Sequence, residues 1–357
     1  MVNLVRSAAA LIAAATLALG LAACGSDDEA GQASGSGSDA GATASSGGKK
    51  DVCFLFQDVE TEFWAAGIKL ISGSIKERGW GVQELNSQAD ANRQLEQIRD
   101  CISQKVDGII IIPHDGESVV NMIALANRAE IPIGVFNRPP AESNPNANIQ
   151  VVANNAEIAR QTTEFLAQEA KKLQEKTGKK VKPLIMVGDL GDSNAVNRKK
   201  GFDEVIAANP DVFEKPVEVA TKWDAETGRA GLQSAMQANP DVGMIFTSSD
   251  FLFPQIRSVL QPLGRWVKRG EEKHMILGGL DGDSTACRLI KEGIVDATGV
   301  QNLNFEADAI VKALATAIEK GETKPKQAID DPGFALTADN LAEREKDMWG
   351  CTIAPPS

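Results

Sequence analysis

The residues best placed to do chemistry stand just after short β-branched runs. Gln57-Asp58-Val59-Glu60-Thr61-Glu62-Phe63-Trp64 brings two aromatics into the first turn of an expected helix, where flat rings can stack on the apolar C–H face of a sugar or polyol. The chain has no tyrosine, so stacking falls to Phe or Trp. Asn137-Arg138 closes another run; a guanidinium can give paired hydrogen bonds to adjacent hydroxyls, and the amide beside it supplies a donor and an acceptor. Trp223-Asp224, Ser248-Ser249-Asp250, Asp281-Gly282 and Gln301-Asn302 close further runs, and Arg198 opens Arg198-Lys199-Lys200-Gly201-Phe202 on a helix. Singly, each is ordinary turn or cap chemistry. Together they make a cleft suited to a neutral, hydroxyl-rich ligand.

Other chemistries fit less well. Gly188-Asp189-Leu190-Gly191-Asp192-Ser193 has glycines but lacks the spacing and the Lys-Ser/Thr pair of a phosphate loop, and its two aspartates oppose an anion. A glycoside hydrolase would need two carboxylates, but Asp58, Glu62, Asp189 and Asp281 sit in short turns where capping explains them. Two histidines, His114 and His274, offer little to a metal site or a proton relay, and no CxxC pair is present. With 37 Lys+Arg against 49 Asp+Glu and a formal charge of −12, the chain would be repelled by phosphate backbones. No catalytic residue, metal, cofactor or nucleic-acid partner is therefore expected.

The elements that must position these residues repeat one rhythm after Lys50. A short apolar strand, a polar or Gly-containing turn and a stretch of helical spacing follow one another. Strands are predicted at Val52–Gln57, Val82–Asn86, Gly108–Ile112, Pro132–Phe136, Leu184–Val187, Val217–Ala220, Gly243–Thr247, Met275–Leu280 and Asp296–Val300. Ile109 to Ile112 is apolar without alternation, as in a parallel sheet covered on both faces. The fold class is α/β, doubly wound. The rhythm occurs once before Asn154 and again from about Lys182, with a helical stretch at Ala156–Gln174 between, so two similar sheets are expected. In such sheets ligands sit outside the carboxyl ends of the strands.

The first residues carry Arg6, an apolar run from Ala8 to Leu19 and then Leu21-Ala22-Ala23-Cys24. This resembles a bacterial lipobox, which implies a signal peptide over 1–23, cleavage before Cys24 and lipidation of that cysteine. Residues 24–49 add a Gly/Ser-rich stretch without large apolar residues, read as a tether. The remaining cysteines, Cys53, Cys101, Cys287 and Cys351, are even in number in a chain read as exported. Three pairings can be drawn. Position favours Cys53–Cys101 and Cys287–Cys351, since Cys53 lies in the first strand and Cys101 on the apolar face of a helix one unit later.

The lipobox, Phe63-Trp64, Asn137-Arg138, Arg198-x-x-Gly201-Phe202, the strand ending at Asp281-Gly282 and Ala297-Thr298-Gly299-Val300-Gln301 together resemble the ribose/galactose-type substrate-binding proteins of ABC importers. The resemblance covers Lys50–Cys351. It implies two lobes joined by a three-segment hinge, closing on a monosaccharide or sugar alcohol and presenting the closed form to a membrane permease. Carried over, Phe63 and Trp64 are the stacking pair and Trp223 the aromatic of the opposite lobe. Arg138, Arg198, Asp281 and Gln301 are the hydroxyl-binding set. Asn137 stands where Asp is usual and Ser249 where Asn is usual; an amide for a carboxylate changes which hydroxyls can be paired, which gives weight to a polyol. The expected lobes are 50–153 with 303–328, and 154–302 with 329–357. The expected protein is a monomer held to the membrane through its lipid alone and facing the periplasm or cell exterior. Service to a chemoreceptor or sensor kinase is the alternative to import.

Overall fold

A computed structural model describes residues 49–353; the leader, the lipidated cysteine and all but the last residue of the tether read from the sequence lie outside them. The first half builds a sheet from β1 (Asp51–Phe56), β2 (Gly81–Asn86), β3 (Gly108–Ile111), β4 (Ile133–Phe136) and β5 (Ile149–Ala153), with α1 (Glu62–Glu77), α2 (Ala91–Ser103) and α3 (Ser118–Arg128) between them. α4 (Asn155–Thr177) then leads to a second sheet of β6 (Lys182–Val187), β7 (Val217–Ala220), β8 (Val242–Thr247), β9 (Ile276–Asp281) and β10 (Ala297–Val300). Its helices are α5 (Ser193–Ala208), α6 (Ala225–Ala238), α7 (Phe253–Leu260) and α8 (Ser284–Lys291). The chain returns through α9 (Leu303–Lys320), gives β11 (Gln327–Asp331) to the first sheet and β12 (Phe334–Thr337) to the second, and ends in α10 (Leu341–Arg344) and α11 (Trp349–Thr352).

The orders β11-β5-β4-β3-β1-β2 and β12-β10-β9-β8-β6-β7 put the first strand or its counterpart β6 inside each sheet, with the next strand outward of it. This is the doubly wound arrangement, parallel throughout except where β12 runs against β10. Fully buried strands such as β3 and β8 explain the unalternated apolar runs.

Three segments cross between the lobes: Ala153 to Asn155, Val300 to Leu303 and Asp331 to Phe334. Asp331 binds all three together, because its carbonyl accepts from Asn154 N at 2.8 Å and its carboxylate from Asn302 N at 2.6 Å. The third crossing thus falls after Asp331, and the boundary expected at 328/329 moves with it. β5, β11 and β12 were not among the predicted strands. β11 is half polar, as an edge strand with one pairing partner can be, and its sequence QAIDD carries no strand periodicity.

Both disulfides stay within a lobe. Cys53 in β1 bonds Cys101 in α2, and Cys287 in α8 bonds Cys351 in α11. Among the described residues, no helix is long and apolar enough to cross a membrane.

Candidate functional site

A cleft of about 410 Å³ opens at the carboxyl ends of both sheets, within the range of small-molecule sites. One wall comes from the loops after β1, β3 and β4, the other from those after β6, β7, β8 and β9, and Gln301 of the second crossing forms part of the floor. All nine residues expected to meet ligand line it: Phe63, Trp64, Asn137, Arg138, Arg198, Trp223, Ser249, Asp281 and Gln301. Asn137, Trp223 and Asp281 have φ of 63°, 59° and 133°, values uncommon for side-chain-bearing residues and concentrated at functional sites.

Several of these side chains are bonded to one another. Asn194 Nδ2 donates to Asn137 Oδ1 (3.1 Å), Asn137 Nδ2 to Gln301 Oε1 (2.8 Å) and Gln301 Nε2 to Asp281 Oδ1 (2.8 Å). Arg198 Nη1 meets the same carboxylate oxygen at 2.9 Å, Arg198 Nε donates to Asn155 Oδ1 (2.7 Å), and Asn155 Nδ2 returns to Asn194 Oδ1 (3.0 Å). Six buried side chains therefore close a ring that joins strand ends of both lobes to the first and second crossings. In a low-dielectric site such a network fixes each member's orientation. The ring also accounts for the amide at 137: Asn137 Nδ2 faces acceptors on Gln301 and, at 3.5 Å, on Glu306. A carboxylate would have no proton to offer either. Asn137 is thus explained by the protein's own bonding, and its identity no longer weighs for a polyol over a ring sugar.

Arg138 is committed as well. Its Nη2 meets Asp192 Oδ2 at 3.0 Å and its Nε donates to the same atom at 3.1 Å, across the cleft from one lobe to the other. Nη1 donates to Gln57 Oε1 and to the Pro113 and His114 carbonyls. Asp192 also caps α5 through Asn194 N and accepts from Trp223 Nε1 at 3.1 Å. Trp223 lies against Gly188, where a Cβ would come within 2.2 Å of the indole; only glycine admits that approach. The Arg198 guanidinium stands 5.7 Å from the Trp223 ring centroid, within cation–π reach.

The two members of the expected stacking pair differ in exposure: Phe63 is 5% exposed, while Trp64 is half-buried. Phe63 packs edge-on between Trp64 (5.1 Å between centroids) and Trp349 (5.8 Å). Ser249 gives its hydroxyl hydrogen to Asp281 Oδ2.

Behind the ring lie buried acids. Burial raises the Asp281 carboxyl above the usual range, opposed by Arg198. Asp250, which holds Thr298 Oγ1, Gly282 N and Asp283 N, is pushed up to about 7, first by burial and then by Asp281. Glu306, fully buried, is raised well above the carboxylate range by burial and by Asp331 beside it.

Asp192, Asn194, Asn155, Glu306 and Trp349 were not singled out from the sequence. Asp192 belongs to the Gly188–Ser193 stretch weighed only as a phosphate loop, Asn194 follows it in the first turn of α5, and Asn155 belongs to an Asn-Asn pair at the first crossing. Glu306 and Trp349 had no signal, since one sits within a helix and the other near the chain's end.

Residues 52–323 match the family described as the periplasmic binding protein domain. The xylitol-binding protein of Mycolicibacterium smegmatis is 25% identical over 363 residues, covering 98% of this chain and 93% of the relative. The D-apiose import binding protein of Actinobacillus succinogenes is 25% identical, covering 71% and 78%. Among solved structures, a solute-binding protein from Bacillus halodurans with bound myo-inositol superposes with a TM-score of 0.71 at 22% identity, covering 84% of this chain and 98% of that one. A galactofuranose binding protein gives 0.70 at 21% identity, covering 84% and 99%. These structural likenesses are of fold.

Proposed function

The chain belongs to the periplasmic binding protein family, and from that premise we propose that it is the extracytoplasmic binding component of an ABC importer, taking a monosaccharide or sugar alcohol in its interlobe cleft. The observation that carries this reading is the cleft itself, where aromatics and bidentate hydrogen-bonding groups from both lobes converge on one small-molecule-sized space. The binding of xylitol and D-apiose by relatives, as their names have it, supports the ligand class. A ligand touching both lobes favours the closed state by its differential affinity, which gives a permease a form to recognise.

In this reading Phe63, Trp64 and Trp223 face the apolar side of the ligand. Arg138, Arg198, Asn137, Ser249, Asp281 and Gln301 meet its hydroxyls with the donor hydrogens and lone pairs that their bonds to one another leave over. The two lobes, 50–153 with 303–331 and 154–302 with 334–353, close about the crossings. The protein returns its ligand unchanged, works as a monomer and is held at the membrane by a lipid on Cys24.

A thermal-shift panel of pentoses, hexoses, alditols and cyclitols tests the ligand class, since a ligand bound only by the folded state raises the midpoint by mass action. At least one member should raise it, with calorimetry returning a single site. A panel without a hit would refute the reading.

A further inference from the structure

We propose that Trp349 is a positioning residue of the cleft: stapled to the second lobe by Cys287–Cys351, it fixes the Asp281 backbone on one side and seats Phe63 of the opposite lobe on the other. This deepens the reading of the cleft as a sugar or polyol site and rests on it.

α11 has four residues, too few to be stable alone, so its place is set by what holds it. Cys351 is bonded to Cys287 on α8. Gly350 N donates to Gly282 O at 3.1 Å, and a Cβ on Gly350 would fall 2.2 Å from the Asp283 carbonyl carbon. The segment therefore lies directly on the turn between β9 and α8. That seating buries Trp349 to 2% exposure and aims its indole Nε1–H at the Asp281 carbonyl, 2.9 Å away.

Asp281 is the node where Arg198, Gln301 and Ser249 meet, and it holds an unfavourable φ of 133°. Such a conformation persists when its surroundings over-determine it, and the indole bond is one such constraint. On its other side Trp349 meets the Phe63 ring edge-on, at 5.8 Å and 75°. Next to that contact, Ser284 N donates to Glu62 Oε2 at 3.0 Å, so two adjacent points of α1 touch the same platform across the lobes. Phe63 lines the cleft and Trp349 does not. Trp349 thus acts through Phe63 and Asp281, and a contact present only between closed lobes biases the opening equilibrium on which apparent affinity depends.

The test uses the full chain with D-ribose, xylitol and myo-inositol as calorimetric probes. Trp349→Phe keeps an aromatic ring but loses the indole donor and the ring's reach; it should weaken the tightest probe roughly 5- to 50-fold. Phe63→Leu should weaken it too, and the double variant by little more than the worse single one, because the shared contact can be lost only once. Cys287→Ser combined with Cys351→Ser should lower affinity in the same way. Parental affinity in Trp349→Phe, or additive losses in the double variant, would overturn the proposal. If the parent binds none of the three probes, the ligand reading loses support and a ligand-free measurement decides on Trp349. In 5-fluorotryptophan-labelled protein, the fluorine resonance that disappears in Trp349→Phe should move in Phe63→Leu. An unmoved resonance means that the two rings do not meet, and the proposal fails.

Discussion

Arg138 and Asp192 meet at 3.0 Å with both side chains nearly excluded from water, one from each lobe of the molecule. Together with the Asn194–Asn137 hydrogen bond at 3.1 Å, this ion pair ties the loop after β4 to the start of α5. Breaking one partner of a buried ion pair typically costs about 3–5 kcal/mol, because the other charge is left buried; here the lobes can part and let water in, so the loss should appear as opening. Asp192→Asn is expected to give the free protein a larger radius of gyration in solution scattering than the parent. Equal radii would show that the pair does not hold the lobes together.

Asn137→Asp should destabilise the fold by about 1–3 kcal/mol near neutral pH, the cost of a buried acceptor facing acceptors. It would lose its donor to Gln301 and stand beside Glu306. The deficit should be smaller at about pH 5 than at about pH 8, because Glu306, raised by its burial, holds a proton the new pair can share on the acidic side and gives it up as the pH rises. Urea unfolding at the two pH values measures both quantities, and a deficit independent of pH would point to a purely steric cause.

Glu306 and Asp250 have folded-state pKa values above their unfolded ones, through burial first and neighbouring carboxyls second. Between the two values the native state keeps a proton that the unfolded chain has already released, so stability declines as pH rises through that window. For Asp250 the window runs from 3.8 to about 7; for Glu306 it begins at 4.5 and extends well above that. The thermal midpoint should therefore fall as the pH is raised from the weakly acidic range through neutrality. Glu306→Gln removes one titrating group and offers Asp331 an N–H, so its profile should be flatter. A slope identical to the parent's would assign the effect elsewhere.

Trp223 donates to Asp192 and stands beside Arg198, so its surroundings change with anything that enters or closes the cleft. Addition of whichever panel sugar scores should alter tryptophan emission. Trp223→Phe should abolish most of the change, although Trp64, Trp80, Trp266 and Trp349 also emit. A full response in the variant would move the reporter to another indole.

Cys53 and Cys101 are wholly buried and separated by 48 residues. Removing the crosslink by Cys53→Ser with Cys101→Ser should cost roughly 2–4 kcal/mol, as the unfolded chain regains loop entropy. Chemical denaturation of the double variant tests this; an unchanged midpoint would mean that the crosslink does not constrain the unfolded chain.

What the amino-acid order determined by itself was local. Apolar runs such as Ile109 to Ile112 and stripes such as Ile68, Ile71 and Ile75 obey the periods of strand and helix, and ligand sites follow strand ends, so Arg138, Trp223, Asp281 and Gln301 could be named without coordinates, while Arg198, inside a helix, was named through the family resemblance. Cys53 and Cys101 could be paired because strand and helix place them on facing surfaces. Tertiary structure decided how those residues are used. Asn155 and Asn194 are 39 positions apart, and Asn137 and Gln301 are 164 apart; no periodicity links such pairs, and only the crossings bring them within hydrogen-bond reach. The same holds for Trp349, whose burial depends on a disulfide and a turn far from it in sequence. Hydrogen bonds act over about 3 Å, and a pattern read along the chain carries no information about which distant groups will come that close.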